Sequence, residues 1–262
     1  AADVLLTLGA GTSASVVIHP ANLISRADYP LSFSDISGDQ VTQGVLITSI
    51  AENGRDNHEA SGPFYGTSAV WTYNSAYYIA VSRGGDGAEV NINAAFGYFP
   101  YSDWVGGLAT VSGATSSLQS SSSIQPSEFI DHNNGTFTLN STSANSNNGI
   151  LLAVSAANED NFAVSKAQAD GSFTIYSHDN GVDGDVYEHD HVGFVYVPTS
   201  RVGQDGLVAL GRIKSGGDAV IGGGDYSIRK DSGIAGKWYL TIPGHSPSSG
   251  TLLISGEGGY PY

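Results

Sequence analysis

The sequence predicts an all-β protein of two tandem, antiparallel β-sandwich-like domains related by an internal repeat. Three observations predict it: landmarks that recur at one spacing, short β-branched and aromatic runs, and glycine-rich breaks between those runs.

The repeat is the strongest of the three. Gly44-Val45-Leu46-Ile47, Gly149-Ile150-Leu151-Leu152 and Gly250-Thr251-Leu252-Leu253 are one strand opening met three times, with glycines 105 and then 101 residues apart. Gly97-Tyr98-Phe99-Pro100 answers Phe194-Val195-Tyr196-Val197-Pro198, with prolines 98 apart. Gly135-Thr136-Phe137-Thr138-Leu139 answers Gly236-Lys237-Trp238-Tyr239-Leu240. An acidic turn follows each of the first two openings and closes on Asp56-Asn57 or Asp160-Asn161. Independent coincidences would not share an offset. The spacing puts a first repeat, with an N-terminal strand segment, at residues 1–148. The second repeat takes 149–262, and 250–262 is the truncated start of a third copy.

Local signals agree. Residues 4–8, 16–18, 77–81, 173–176, 192–197 and 238–242 are strand-like runs. Asn-Gly at 53–54, 134–135, 148–149 and 180–181 supplies the positive φ angles of tight hairpins. No stretch carries a helical apolar stripe over three turns. The serine-rich stretch 112–127 reads as a surface loop inside the first repeat.

Charge narrows the function. Lys plus Arg number 10 against 25 Asp plus Glu, a net charge of −15. Nucleic acid and anionic membrane surfaces both need a cationic footprint, so neither is an expected partner. No apolar run reaches the length of a membrane-spanning helix, so no membrane insertion is expected. The chain has no cysteine, which removes disulfides, thiolate nucleophiles and cysteine-ligated zinc. Charged residues are 13% of the chain, against roughly a quarter in ordinary soluble domains. A surface made instead of Ser, Thr, Asn and Gly reads as secreted, either extracellular or at the cell surface. The start, Ala1-Ala2-Asp3-Val4, would fit an end left by signal-peptide cleavage.

Catalytic signals are thin. There is no Gly-x-Ser-x-Gly elbow, and Gly222-Gly223-Gly224 lacks the Lys-Ser/Thr of a phosphate loop. No enzyme is expected. The densest ligand cluster holds Asp179, Asp183, Asp185, Glu188 and Asp190 within a Gly-containing stretch. Calcium takes six to eight oxygens, so these carboxylates are the candidate calcium ligands, with a solvated acidic loop as the alternative. Zinc through His189 and His191 would need a third ligand such as His178. Trp71, Tyr73, Tyr101 and Trp104 are candidate sugar-stacking residues, and core packing is the competing role for the same rings.

Gly-aliphatic-Leu-Leu, the acidic Asp-Asn turn, the Phe-x-Tyr/Phe-x-Pro-like strand and Gly236-Lys237-Trp238-Tyr239-Leu240-Thr241-Ile242-Pro243 together resemble the tandem β repeats of large secreted bacterial surface proteins. The resemblance covers most of residues 31–262. It implies an extracellular, repetitive, structural role and brings no catalytic residue. The expected function is therefore a structural subunit of a filament, surface layer or matrix, a homo-polymer joined by β-strand contacts. The candidate assembly strands are Val4, Leu5, Leu6 and Leu8 at one end and Leu252, Leu253 and Ile254 at the other. The alternative is an adhesion module that binds polysaccharide.

Overall fold

The computed structural model describes residues 3–7, 13–17, 29–31, 39–50, 66–73, 75–83, 94–157, 160–180, 187–214, 219–233 and 237–258. Within them the chain is mostly β. The first half runs β1 (Asp3–Thr7), β2 (Ser13–Val17), β3 (Tyr29–Leu31), a single helical turn α1 (Gln40–Gln43), β4 (Gly44–Ile50), β5 (Gly66–Tyr73), β6 (Ala76–Arg83), β7 (Ala94–Pro100), β8 (Val105–Ser112) and β9 (Thr115–Ser120). There follow β10 (Phe129–Asp131), β11 (Thr136–Leu139), β12 (Gly149–Ser155), β13 (Phe162–Ala167), β14 (Phe173–His178) and β15 (Val192–Pro198). The last strands are β16 (Leu210–Ile213), β17 (Ala219–Gly223), β18 (Ser227–Lys230) and β19 (Trp238–Thr241).

A seven-stranded sheet takes the order β3-β6-β5-β12-β15-β8-β9, and a four-stranded sheet takes β10-β11-β14-β13. β4 and β7, which are not consecutive in the chain, form a separate two-stranded antiparallel sheet. Within the large sheet β12 pairs with β15 along its whole length, Gly149 opposite Pro198 and Ser155 opposite Val192. On its other edge β12 meets β5 only where Ser155 lies opposite Ala69.

β12 and β15 are apolar at almost every position, and a strand of that kind must be covered on both faces. Alternation splits their side chains between two cores. Leu152, Val154, Val195 and Val197 join Val45 and Ile47 of β4, Tyr98 of β7 and Val70, Tyr77 and Ile79 of β5 and β6. Leu151, Ala153, Phe194 and Tyr196 join Phe137 and Leu139 of β11, Phe173 and Ile175 of β14 and Ala109 of β8. Three layers result: the β4–β7 pair, the seven-stranded sheet and the four-stranded sheet. Each fully buried Val, Leu or Phe in such a core stabilises by about 1.5–3 kcal/mol relative to exposure.

Both cores draw on residues before and after 148, so the expected boundary lies inside a shared fold. Among the described residues the chain is a mostly β fold of several antiparallel sheets, with nothing that separates it into tandem repeat domains. The reason is physical: β12 and β15 send alternate side chains into both cores, so the second copy's strands are shared between them.

The repeat persists as an antiparallel strand pair. Gly44 lies opposite Pro100 just as Gly149 lies opposite Pro198. A Cβ on Gly44 would stand 2.6 Å from both the Tyr98 ring and the Phe99 carbonyl oxygen. One on Gly149 would stand 2.5 Å from the Tyr196 ring and 2.6 Å from the Val197 carbonyl oxygen. The tyrosine hydroxyls then donate to equivalent backbone oxygens, Tyr98 to Gln40 at 2.7 Å and Tyr196 to Asn145 at 2.9 Å. The backbone N–H groups of Tyr101 and Thr199 donate to Gln43 and Asn148 at 2.8 and 2.9 Å. Burial pushes both tyrosine hydroxyls above their ordinary pKa, so they stay protonated donors.

Two local expectations are corrected. Thr115–Ser120 is an edge strand, not a loop, because Gly113 turns the chain at φ +60 and Leu118 packs on the second core. Its alternate serines are tolerable because an edge strand has a face in water. Asn148-Gly149 is not a hairpin turn: Gly149 begins a central strand, where the Tyr196 ring requires the missing side chain.

Gly149→Ala should therefore cost about 1–3 kcal/mol through overpacking against ring and backbone. Gly250→Ala, which meets nothing within 4 Å, should change stability by less than about 0.5 kcal/mol. Urea unfolding of the two variants measures the contrast, and equal effects would contradict the strand-pair account.

Candidate functional site

The third strand opening is the feature of the surface that the first two copies make interpretable. Residues 250–255 do not form a ladder strand; they lie across β4 and β12 of their own chain. Leu253 packs on the core that holds Ile47 and Leu152, its counterparts in the earlier copies. The Ser49 hydroxyl accepts from the Ile254 N–H at 2.8 Å and donates to the Ile254 carbonyl at 2.9 Å. In reverse, the Ser255 hydroxyl accepts from the Ala153 N–H at 3.2 Å and donates to the Ala153 carbonyl at 3.3 Å. Ser165 adds a parallel bridge to Glu257, its N–H donating to the Gly256 carbonyl at 3.2 Å and its carbonyl accepting from the Gly258 N–H at 3.0 Å. The Ser165 hydroxyl donates to the Leu151 carbonyl at 2.7 Å.

The Ser165 and Ser255 hydroxyls sit along the edge of β12 that β5 barely reaches, while Ser49 anchors the segment from β4. Buried backbone groups must find partners, and here serine side chains stand in for a neighbouring strand. The outward face of the segment is different. Leu252 is 52% and Ile254 62% exposed, the most exposed large apolar side chains among the described residues. Val45, Leu46 and Ile47 of the first copy are fully buried.

The N-terminal candidates lie elsewhere. Val4, Leu5 and Leu6 are in β1, which pairs antiparallel with β2, Val4 opposite Val16 and Leu6 opposite Ala14. Leu8 falls outside the described residues. One edge of β1 is thus already occupied within its own chain.

In the acidic stretch, Asp183 and Asp185 fall outside the described residues. Asp179 and Glu188 flank that gap. Asp190 is tied to its surroundings: one oxygen accepts from the His191 N–H and meets His191 Nδ1, both at 2.7 Å, and the other accepts from Asn161 Nδ2 at 3.0 Å. Burial alone would raise the Asp190 pKa, but the His191 and Asn161 hydrogen bonds hold it below the ordinary value. His189 Nε2 lies 2.9 Å from both oxygens of Asp131, and its ring stacks on Phe137. Asp131 is also lowered, hydrogen bonds from Asn133, Ser116 and His189 outweighing its burial. His178, the possible third zinc ligand, is buried with its ring against Phe162 and Tyr187. Among the described residues no three His, Asp or Glu side chains converge as a metal site.

The described aromatic candidates each have a packing partner. Trp71 stacks on Tyr78, its cross-strand partner, at 4.4 Å. The side chain of Tyr73 lies outside the described residues. Tyr101 and Trp104 pack against the first core, and the Arg201 guanidinium covers the Trp104 ring at 4.7 Å. No family model, curated protein or solved structure matches the chain.

Sequence reasoning singled out Leu252, Leu253 and Ile254 but missed Ser49, Ser165 and Ser255. In a chain whose surface is built on serine, no local signal marks three of them.

Ser255→Ala and Ser49→Ala should each cost about 1 kcal/mol and should speed amide exchange at residues 253–256 more than elsewhere. Uniform acceleration over the whole fold would contradict a local latch.

Lowered Asp131 and Asp190 predict an acid response. Their ionised forms stabilise the fold above the ordinary aspartate value of about 3.9, and that contribution is lost as pH falls through the lower folded values. The melting temperature should drop most steeply below about pH 4, and Asp190→Asn should melt lower at pH 7 with a shallower acid slope. An unchanged slope in the variant would contradict this.

Proposed function

We propose that the protein is a secreted structural subunit whose copies join through β-strand contacts into an extracellular filament, surface layer or matrix. One observation carries the reading: the third strand opening is held in place by its backbone and Leu253 while Leu252 and Ile254 face water. An exposed apolar strand edge is a template for pairing with another chain. The contact would be heterologous, since the two ends of the subunit differ, and a heterologous contact that does not close grows into a fibre. The finer architecture in this reading is two sandwich-like repeats fused across the β12–β15 pair.

The absence of a catalytic motif fits a structural role, as does a surface poor in charge and rich in Gly, Ser and Asn. The polysaccharide alternative has less support, because Tyr101 and Trp104 are committed to core packing. A charge of −15 opposes association at low salt. Salt shortens the reach of that repulsion to about 10 Å at 0.1 M, and calcium would act as bridging or screening ion.

Light scattering on the purified chain should show mass rising with concentration, more so with added calcium, and electron microscopy should show ordered assemblies. Leu252→Asp with Ile254→Asp should remain monomeric without loss of melting temperature. A wild-type chain that stays monomeric at high concentration with calcium present would overturn the proposal.

A further inference from the structure

The chain's charge is unevenly spread. Residues 212–237 hold five of its 10 Lys and Arg but three of its 25 Asp and Glu, so a locally cationic segment sits in a protein of net charge −15. Three of those cations, Arg229, Lys230 and Lys237, lie on or beside the strand pair β18–β19, which is hydrogen-bonded to no third strand among the described residues. All three are exposed, and each stands over an aromatic ring. Arg229 is 4.1 Å and Lys237 5.1 Å from the Tyr239 ring, and Lys230 is 5.6 Å from the Trp238 ring. Register explains the arrangement: Arg229 lies opposite Tyr239 and Lys230 opposite Trp238, so one cation and ring project from each face of the ribbon. Asp231 balances part of this charge, accepting from the Tyr239 hydroxyl at 2.7 Å and lying 3.7 Å from Lys237. Among the described residues Arg229 has no carboxylate partner.

An open cleft of about 320 Å³ adjoins this ribbon, lined by Val220, Gly222, Gly223, Gly224 and Tyr226 among others. Its shape follows from missing side chains. The Tyr226 hydroxyl lies close against β16 and β17, where a Cβ on Gly211 would stand 2.5 Å and one on Gly222 2.2 Å from it. Gly224 turns the chain at φ +87, a conformation that favours glycine. Tyr226 lines the cleft and Ser227 begins β18, so cleft and ribbon are continuous.

We propose that the cleft and the β18–β19 ribbon form one binding surface for an acidic polysaccharide. A sugar ring sits in the cleft over the glycine run, and Arg229, Lys230 and Lys237 pair with carboxylates further along the sugar chain. Charge complementarity selects the chemistry. A group of exposed cations in so acidic a chain suits an anionic partner, and cations already seated on rings lose less freedom when they bind one. The extent of the surface selects the sugar. At about 3.3 Å per residue, the course from Tyr226 to Lys230 spans about 13 Å, the reach of a few sugar units. Duplex nucleic acid carries one charge per ~1.7 Å, and it or an anionic membrane would press further charge against the acidic remainder of the chain. A second copy fits less well, since among the described residues no three His, Asp or Glu side chains converge into an acidic counterpart. The surface shares no residue with Trp71, Tyr73, Tyr101 or Trp104, and it goes beyond the assembly reading, which stands or falls separately.

The test measures binding of polygalacturonate, dextran and poly-glutamate to the whole chain by calorimetry. Polygalacturonate should bind saturably and several-fold more weakly as salt rises from about 0.02 M to about 0.5 M. Dextran, a neutral sugar chain, should not bind, and poly-glutamate, an acidic chain without sugar rings, should bind at least about tenfold more weakly than polygalacturonate. Arg229→Gln with Lys237→Gln should weaken polygalacturonate binding about tenfold, as expected for losing two exposed charge contacts. Val220→Asp, which puts a like charge into the cleft, should weaken it to a similar extent, and both variants should keep the wild-type melting temperature. No binding of polygalacturonate, equal binding of dextran or poly-glutamate, or wild-type affinity in either variant would overturn the inference. Light scattering on the protein alone reads the assembly claim separately. Polygalacturonate binding without self-association keeps this surface and removes the filament; self-association lost in the double Gln variant, with no polygalacturonate binding in the wild type, makes the ribbon a contact between copies instead.

Discussion

The structure depends on one constraint: the antiparallel pair β12–β15 has no polar face. A two-stranded ribbon that is apolar on both sides must be walled twice, and the chain supplies the walls from different places. The β4–β7 pair, with the strands beside it, covers one side, and the four-stranded sheet covers the other. Everything else is arranged around those two contacts. The cross-chain spread of both cores follows, and so does the loss of any boundary at residue 148.

Glycine and tyrosine set how closely the strand pairs close. At Gly44 and Gly149 the absent side chain lets a tyrosine ring lie flat on the strand, and the hydroxyl then reaches a backbone oxygen upstream. One residue pair therefore fixes register, fills volume and satisfies a carbonyl. The backbone of these glycines is extended at Gly44, so the requirement there is space and not an unusual dihedral angle. The pair is repeated with the same hydrogen bonds at the same offsets.

Much of this was legible in the sequence. The strand class, the positions of β6, β14, β15 and β19, and the correspondence of Gly44 with Gly149 and Tyr98 with Tyr196 follow from spacing and composition. What was not legible concerns partners. The run Ile150-Leu151-Leu152-Ala153-Val154 announces burial on both faces, but a repeat at constant offset suggests self-contained domains, and only the sheet order shows that the copies interleave. Ser49, Ser165 and Ser255 act by position, and position depends on long-range packing. Among the carboxylates near 178–191 only their density was legible; that Asp190 accepts from the His191 N–H and Asn161 Nδ2 depends on packing the sequence does not display.

Native-state hydrogen exchange tests the central claim most directly. If the β12–β15 pair is the shared middle layer, the amides of Leu151–Val154 and Val195–Val197 should be the slowest in the protein. They should exchange only in the same global opening that releases β4, β7, β11 and β14. Two separate opening events, one for strands before residue 148 and one for strands after it, would contradict the account.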